Sequence, residues 1–207
     1  MFKTLRDAFK VKEIRMGLLF TFFVLIVIRF GSLIPVPGLN TIKEYLESAL
    51  GDANSFLSSF TGGSFTQMSI FALNVTPYIT SSIIIQLLTI AIPALEEMQK
   101  DGEDGRKKIA EYTRYLTVAL ALMQSVAMSI GFGGKGLLVE FTALNVIVAI
   151  VTMTAGSAML MWIGERITEN GVGNGISIVL LFNILSSVPD DMRSLYYRFI
   201  FGQSFAT

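Results

Sequence analysis

The chain has 207 residues, 52% hydrophobic and 15% charged, with a formal net charge of zero and neither cysteine nor histidine. So little charge, against roughly 25% in a soluble domain, points to a membrane protein, and the zero balance lacks the basic field of a nucleic-acid binder. Without Cys or His there are no disulfides, thiol nucleophiles, usual zinc ligands or histidine proton relays, so neither an enzyme nor a cofactor is expected.

Residues 1–15 set Lys3, Arg6, Lys10, Lys12 and Arg15 against Leu5, Phe9 and Ile14. This fits a short cytoplasmic helix on an anionic leaflet, and equally fits ordinary flanking positive charge. Residues 16–34 form a first span, read as retained because it leads into Pro35-Val36-Pro37-Gly38 with no small-residue cleavage site. Its one charge, Arg29, sits near the far end, where it can snorkel or pair with a loop acid. Residues 39–54 read as a polar loop.

The stretch 56–93 divides in two. Residues 70–92 are apolar enough to cross a bilayer, whereas 56–69 carry Ser58, Ser59, Thr61, Gly62, Gly63, Ser64, Thr66 and Gln67. At the junction, Pro77 removes a backbone donor and disfavours helix at Thr76. The predicted geometry is a segment that enters the membrane, breaks and is followed by a true span. Broken backbone at membrane depth needs a protein cover or a wet cavity, so a path through the protein is expected here.

Residues 94–113 are dense in charge and read as a solvated hairpin turning at 102–105, with docking of a soluble partner as the other use of such a surface. A third span follows at 115–130, a glycine-rich turn at 131–142, and a fourth span at 143–163, where Gly156, Ser157 and Ala158 permit close helix packing. Residues 165–174 form a short polar loop. The run 175–188 is a fifth apolar segment, shorter than the roughly 20 residues of a full span, and 189–207 is a mixed tail. Lys3 through Arg15, Lys100, Arg106, Lys107, Lys108, Arg114 and Arg166 fall on one side, and Lys43, Lys135, Arg193 and Arg198 on the other. The positive-inside rule then puts the N-terminus in the cytoplasm and the tail outside. Five spans with opposed ends suit one half of an inverted-repeat channel or transporter.

Gly171-Val172-Gly173-Asn174-Gly175 has the look of a phosphate loop, but its flanks are spans rather than a strand and an amphipathic helix, so a tight interhelical turn is expected. Asn74-Val75-Thr76 matches a glycosylation sequon at membrane depth, out of reach of the enzyme. No carboxylate lies inside a span. Val75, Ile79 and Leu180 read from composition as ordinary apolar core or lipid-facing residues. Interhelical hydrogen bonds would account for Thr80, Ser81, Ser82 and Gln86 as well as a wet channel would.

Three stretches together resemble the SecY family of bacterial protein-translocation channels: residues 29–38 (RFGSLIPVPG), 70–88 (IFALNVTPYITSSIIIQLL) and 162–177 (WIGERITENGVGNGIS). Gly105-Arg106-Lys107-Lys108 and Tyr112-Thr113-Arg114-Tyr115 fit as well. The resemblance covers essentially the whole chain but only the first half of such a channel. It implies an all-α polytopic membrane fold of five transmembrane helices, with a broken second helix whose re-entrant part, about 56–72, is similar to the plug. Phe60, Gly62, Gly63, Ser64 and Phe65 match that plug. The resemblance further implies a pore ring supplied here by Val75, Ile79 and Leu180, and a lateral-gate wall along 76–92 with Thr80, Ile83 and Leu87 on its gate side. An aliphatic ring seals against ions by dewetting and offers a passing chain no hydrogen bond.

The implied partners are SecE, a small third Sec subunit, the SecA motor ATPase or a ribosome, secretory polypeptides and the bilayer of the bacterial inner membrane. The missing half could come from a separate chain or from a second copy in an antiparallel homodimer. Two other classes stay open from the residues: half of a small-solute or ion transporter with Asn74 and Thr76 as ligands, and a non-conducting structural fragment.

Overall fold

A computed structural model describes residues 11–39, 61–133, 138 and 142–200. Among them the regular structure is helical, with only two isolated bridges, Pro35 with Ser69 and Leu39 with Leu138. In chain order the helices are α1 (Lys12–Ser32), α2 (Thr76–Ala91), α3 (Pro93–Lys100), α4 (Glu103–Phe132), α5 (Ala143–Asn170) and α6 (Gly175–Ile200).

Helix α1 begins before the expected span, taking Lys12, Glu13 and Arg15 into its first turn. It ends where Ile34 precedes Pro35, a placement that disfavours helix. Leu33 N–H donates to Phe30 O and Ile34 N–H to Gly31 O, tightening the last turn. Residues 40–60, Phe60 among them, lie outside the described residues, and from Gly62 to Val75 the backbone runs in turns. The expected break is therefore present; Thr61 is helical and the rest of its described part is a chain of turns. Asn74 closes it in the left-handed region (φ +54°), which asparagine tolerates better than most side chains. Pro77 then sits in the first turn of α2, where its missing N–H costs little.

The charged stretch 94–113 is not a loop. Extended Ile92 before Pro93 ends α2, and α3 leaves at 102° to it. The chain reverses at Asp101-Gly102, where Gly102 has φ +80°, and α4 starts at Glu103, twelve residues ahead of the expected third span at Tyr115. Pairs such as Lys100–Glu96 (2.6 Å) and Lys107–Asp104 (3.8 Å) give these polar turns local helical support. Likewise α5 runs past residue 163 to Asn170, and α6 continues through Pro189 to Ile200, so residues read as a mixed tail are helical.

By length and apolarity α1 and α5 can each cross a membrane, α2 with α3 forms a sharply bent pair, and the apolar part of α6 (Gly175–Pro189) is shorter. Helix α4 keeps hydroxyls for its neighbours instead of for lipid. Ser81 Oγ lies 2.5 Å from Thr117 Oγ1 and donates to Thr113 O, joining α2 to α4, and Ser125 Oγ lies 2.9 Å from Thr154 Oγ1, joining α4 to α5. Such small polar residues bind helices together where lipid offers no hydrophobic driving force.

The turn chain supplies both buried clusters. One gathers Met68, Ala72 and Leu73 with Val36, Ala121, Met128, Ala149 and Met153. The other gathers Phe71 and Val75 with Ile28, Leu160, Ile163, Ile167 and Val179. The outer faces stay apolar and exposed, as at Phe22, Phe23 and Phe30 of α1, Ile90 of α2 and Ile147 of α5.

Candidate functional site

The turn chain 61–75 is wedged between α1, α5 and α6. Main-chain bonds pin it to the end of α1: Ile70 N–H donates to Ile34 O at 3.0 Å, and Val36 N–H to Met68 O at 2.9 Å. Against α5 it lies on Gly156, where any Cβ would collide with the Ile70 carbonyl. One residue on, Ser157 Oγ donates to Asn74 O at 3.2 Å. Gly156 and Ser157 thus serve close packing, as expected, though their partner here is the broken segment and not a regular helix. Arg29 donates through Nη1 to Gly62 O at 3.1 Å. That is its partner among the described residues; the loop acids Glu44, Glu47 and Asp52 lie outside them.

The four described residues among those matching a plug, Gly62, Gly63, Ser64 and Phe65, occupy the start of this chain. Gly62 (φ +62°) and Gly63 (φ +80°) are both left-handed, and Ser64 is buried while its carbonyl accepts from Ser69 N–H and Oγ. Val75, Ile79 and Leu180 fall in one apolar cluster. Val75 is fully buried in it, and Ile79 and Leu180 pack on it half-exposed. Thr80, Ile83 and Leu87 follow one face of α2. Ile83 (53%) and Leu87 (61%) are exposed, and Thr80 Oγ1 donates to Thr76 O of its own helix.

A cavity of about 440 Å³ opens beside this face, lined by Tyr78, Ile79, Ser82 and Ile83 of α2, with Arg114 of α4 and Glu165 of α5 among the facing residues. Its apolar floor is α2 and its charged wall joins two helices. Arg114 Nε donates to Glu165 Oε1 at 2.8 Å, and this bond raises the Arg114 pKa above its ordinary value. Arg166 pairs with Glu169 at 2.8 Å and lies 5.5 Å over the Trp162 ring. Among the described residues no group of acids could hold a metal ion.

The glycine motif 171–175 is the tight turn between α5 and α6. Gly173 has φ +74°, a Cβ on Gly175 would collide with the Gly164 carbonyl, and Asn174 Oδ1 accepts from Ser177 N–H as the cap of α6. The sequence reading passed over Asn183, the one amide in the apolar run 175–188. It is buried, and its Nδ2 donates to Asn74 Oδ1 at 2.9 Å. The signal available was its position, because an amide inside a span seeks a partner.

The SecY family model matches residues 69–206. The chain is 45% identical over 201 residues to the protein translocase subunit SecY of Bacillus subtilis, covering 95% of this chain and 46% of that protein. It is 42% identical over 207 residues to the subunit of the same name from Thermotoga maritima, covering 95% and 48%. The chain therefore spans about half the length of the curated relatives it matches. Among solved structures, one described as a protein-conducting channel aligns with a TM-score of 0.59 at 20% identity, over 92% of this chain and 39% of that one. A SecY structure concerned with its plug domain aligns at 0.58 and 20%, over 94% and 40%. At that identity the likeness is one of fold.

Proposed function

The chain belongs to the SecY family, and from that premise we propose that it supplies one half of the pore and of the lateral gate of a protein-conducting channel. The observation that carries this reading is the turn chain 61–75: broken backbone, covered on three sides by α1, α5 and α6, at the head of the apolar helix that lines the cavity. Lipid tolerates such backbone only under protein or beside water.

Val75, Ile79 and Leu180 are the ring. Ile79 and Leu180 are its reachable members, and Val75 is uncovered only as α2 and α6 part. Residues 56–72, with Phe60 and Gly62 to Phe65, are the plug. Ile83 and Leu87, with Thr80 beside them, form the gate edge, whose exposed apolar face suits exchange of a signal helix with lipid. The domain division follows: 1–15 a cytoplasmic N-terminus, 16–188 the half-channel and 189–207 an external end. The bacterial inner membrane, a cytoplasmic N-terminus, a SecE clamp with a third small subunit, and drive from SecA or a ribosome complete the proposal. The chain does no covalent chemistry in this reading; it conducts.

The rival transporter reading takes Asn74 and exposed Thr76 as its solute ligands at the break. Asn74 is buried, and its carboxamide oxygen is taken by Asn183.

The native absence of cysteine gives the test. Ile79→Cys is placed in the chain in native membranes, a secretory polypeptide carrying one cysteine is stalled during passage, and the pair is oxidised. The expected result is an adduct at Ile79→Cys and none at a control cysteine on the lipid face, such as Ile147→Cys. Absence of the adduct while the polypeptide is engaged would refute the ring assignment.

A further inference from the structure

The turn chain and the ring meet at Asn183 of α6. Its side chain holds the end of the turn chain through Asn74 Oδ1. Its backbone seats the start: a Cβ on Gly62 would stand 3.0 Å from the Asn183 carbonyl oxygen and 3.4 Å from its Cα. Arg29 of α1 holds the same Gly62 by its carbonyl. Asn183 lies one helical turn beyond Leu180, and Asn74 is bonded in sequence to Val75. A motion that separates Leu180 from Val75 and Ile79 therefore separates Asn183 from Asn74 and withdraws the seat under Gly62.

The hold is incomplete on one side. Asn74 Nδ2 is buried and has no hydrogen-bond partner among the described residues. A buried donor without a partner raises the energy of the arrangement that buries it, and a half-satisfied polar pair anchors less firmly than a filled network. The pair is thus specific enough to set a register and weak enough to part.

Building on the reading of the chain as half of a channel, we propose that Asn183 is a positioning residue that couples widening of the ring to release of the turn chain. While Asn183 bonds Asn74, the ring stays narrow and Gly62 stays seated. When a passing polypeptide displaces α6, both holds are lost in one step.

Single cysteines in the cysteine-free chain read this directly, in the complete assembly in native membranes. Ser64→Cys puts a near-isosteric thiol into the buried start of the turn chain, and Ser129→Cys puts one into a buried position on α4. The measurement is the rate of modification by a water-soluble maleimide. Asn183→Ala is expected to raise the Ser64→Cys rate roughly tenfold, the population change that follows loss of one buried hydrogen bond, and to leave Ser129→Cys unchanged. Asn74→Gly, which suits the left-handed backbone, is expected to give the same rise, and the double variant no further rise because the two residues share one bond. A stalled polypeptide is expected to raise the Ser64→Cys rate in the otherwise unaltered chain.

Equal rises at both thiols would show general loosening and overturn the proposal, as would no rise at Ser64→Cys or additive rises in the double variant. If a polypeptide reaches Ile79→Cys and Ser64→Cys stays protected, the coupling is overturned and the channel reading stands. If no polypeptide reaches Ile79→Cys, the channel reading falls, and the labelling cycle still decides whether Asn183 holds the turn chain.

Discussion

Replacing Gly156 by alanine tests the packing on which the whole site depends. A methyl group there would overlap the Ile70 carbonyl and crowd the Ile70 side chain. Ordinary carbon contact requires the turn chain to retreat from α5 by more than ~1 Å. It has little room to do so, because Ile70 N–H is held by Ile34 O at 3.0 Å and Asn74 O by Ser157 Oγ at 3.2 Å. Overpacking costs about 1–3 kcal/mol, and each of the two hydrogen bonds put at risk is worth about 0.5–1.5 kcal/mol. Alanine returns up to about 1 kcal/mol as a better helix former. The balance is a net loss of about 1–5 kcal/mol, or roughly five- to several-thousand-fold in the folded-to-unfolded ratio, from the same principles.

The assay is reversible unfolding in mild detergent, with Gly131→Ala as the control. Gly131 is also helical, but a Cβ there meets nothing within 4 Å, so the control should be neutral or slightly stabilising. If Gly156→Ala is as stable as the control, the turn chain does not lie against α5 as described and the account of the site fails with it.

Ser81→Ala combined with Thr117→Val in a double-mutant cycle should give a coupling of about 0.6 kcal/mol in that same unfolding assay; the value stays small because Thr117 keeps its bond to Thr113 O at 2.7 Å. Asn174→Ala removes the cap that accepts from Ser177 N–H and should cost about 1 kcal/mol; slow amide exchange at Ser177 matching that of the unaltered chain would contradict it.

The membrane class, the first and fourth spans, the break before Pro77 and the turn at 171–175 were all legible from residue order. Each rests on local chemistry: runs of apolar side chains, proline's missing donor, and glycines that only a tight crossing requires. Charge density misled where it was read as loop. In residues 94–113 the same Glu, Lys and Arg residues that favour solvent also favour helix and pair along it, so α3 and the first turns of α4 are helical. Mixed composition likewise hid the helical end of α6, which continues through Pro189 to Ile200.

The sequence by itself determined that this is a helical membrane protein broken at one place, and it held the family resemblance that the comparisons established. Only the tertiary structure decided what the break touches. Gly156 and Ser157 stand more than eighty residues from Ile70 and Asn74, and Asn183 more than a hundred from Asn74. No periodicity couples positions so far apart. Their contacts exist because buried backbone carbonyls and amides had to find partners within the protein, and the folded arrangement of α1, α5 and α6 fixed which partners lay in reach.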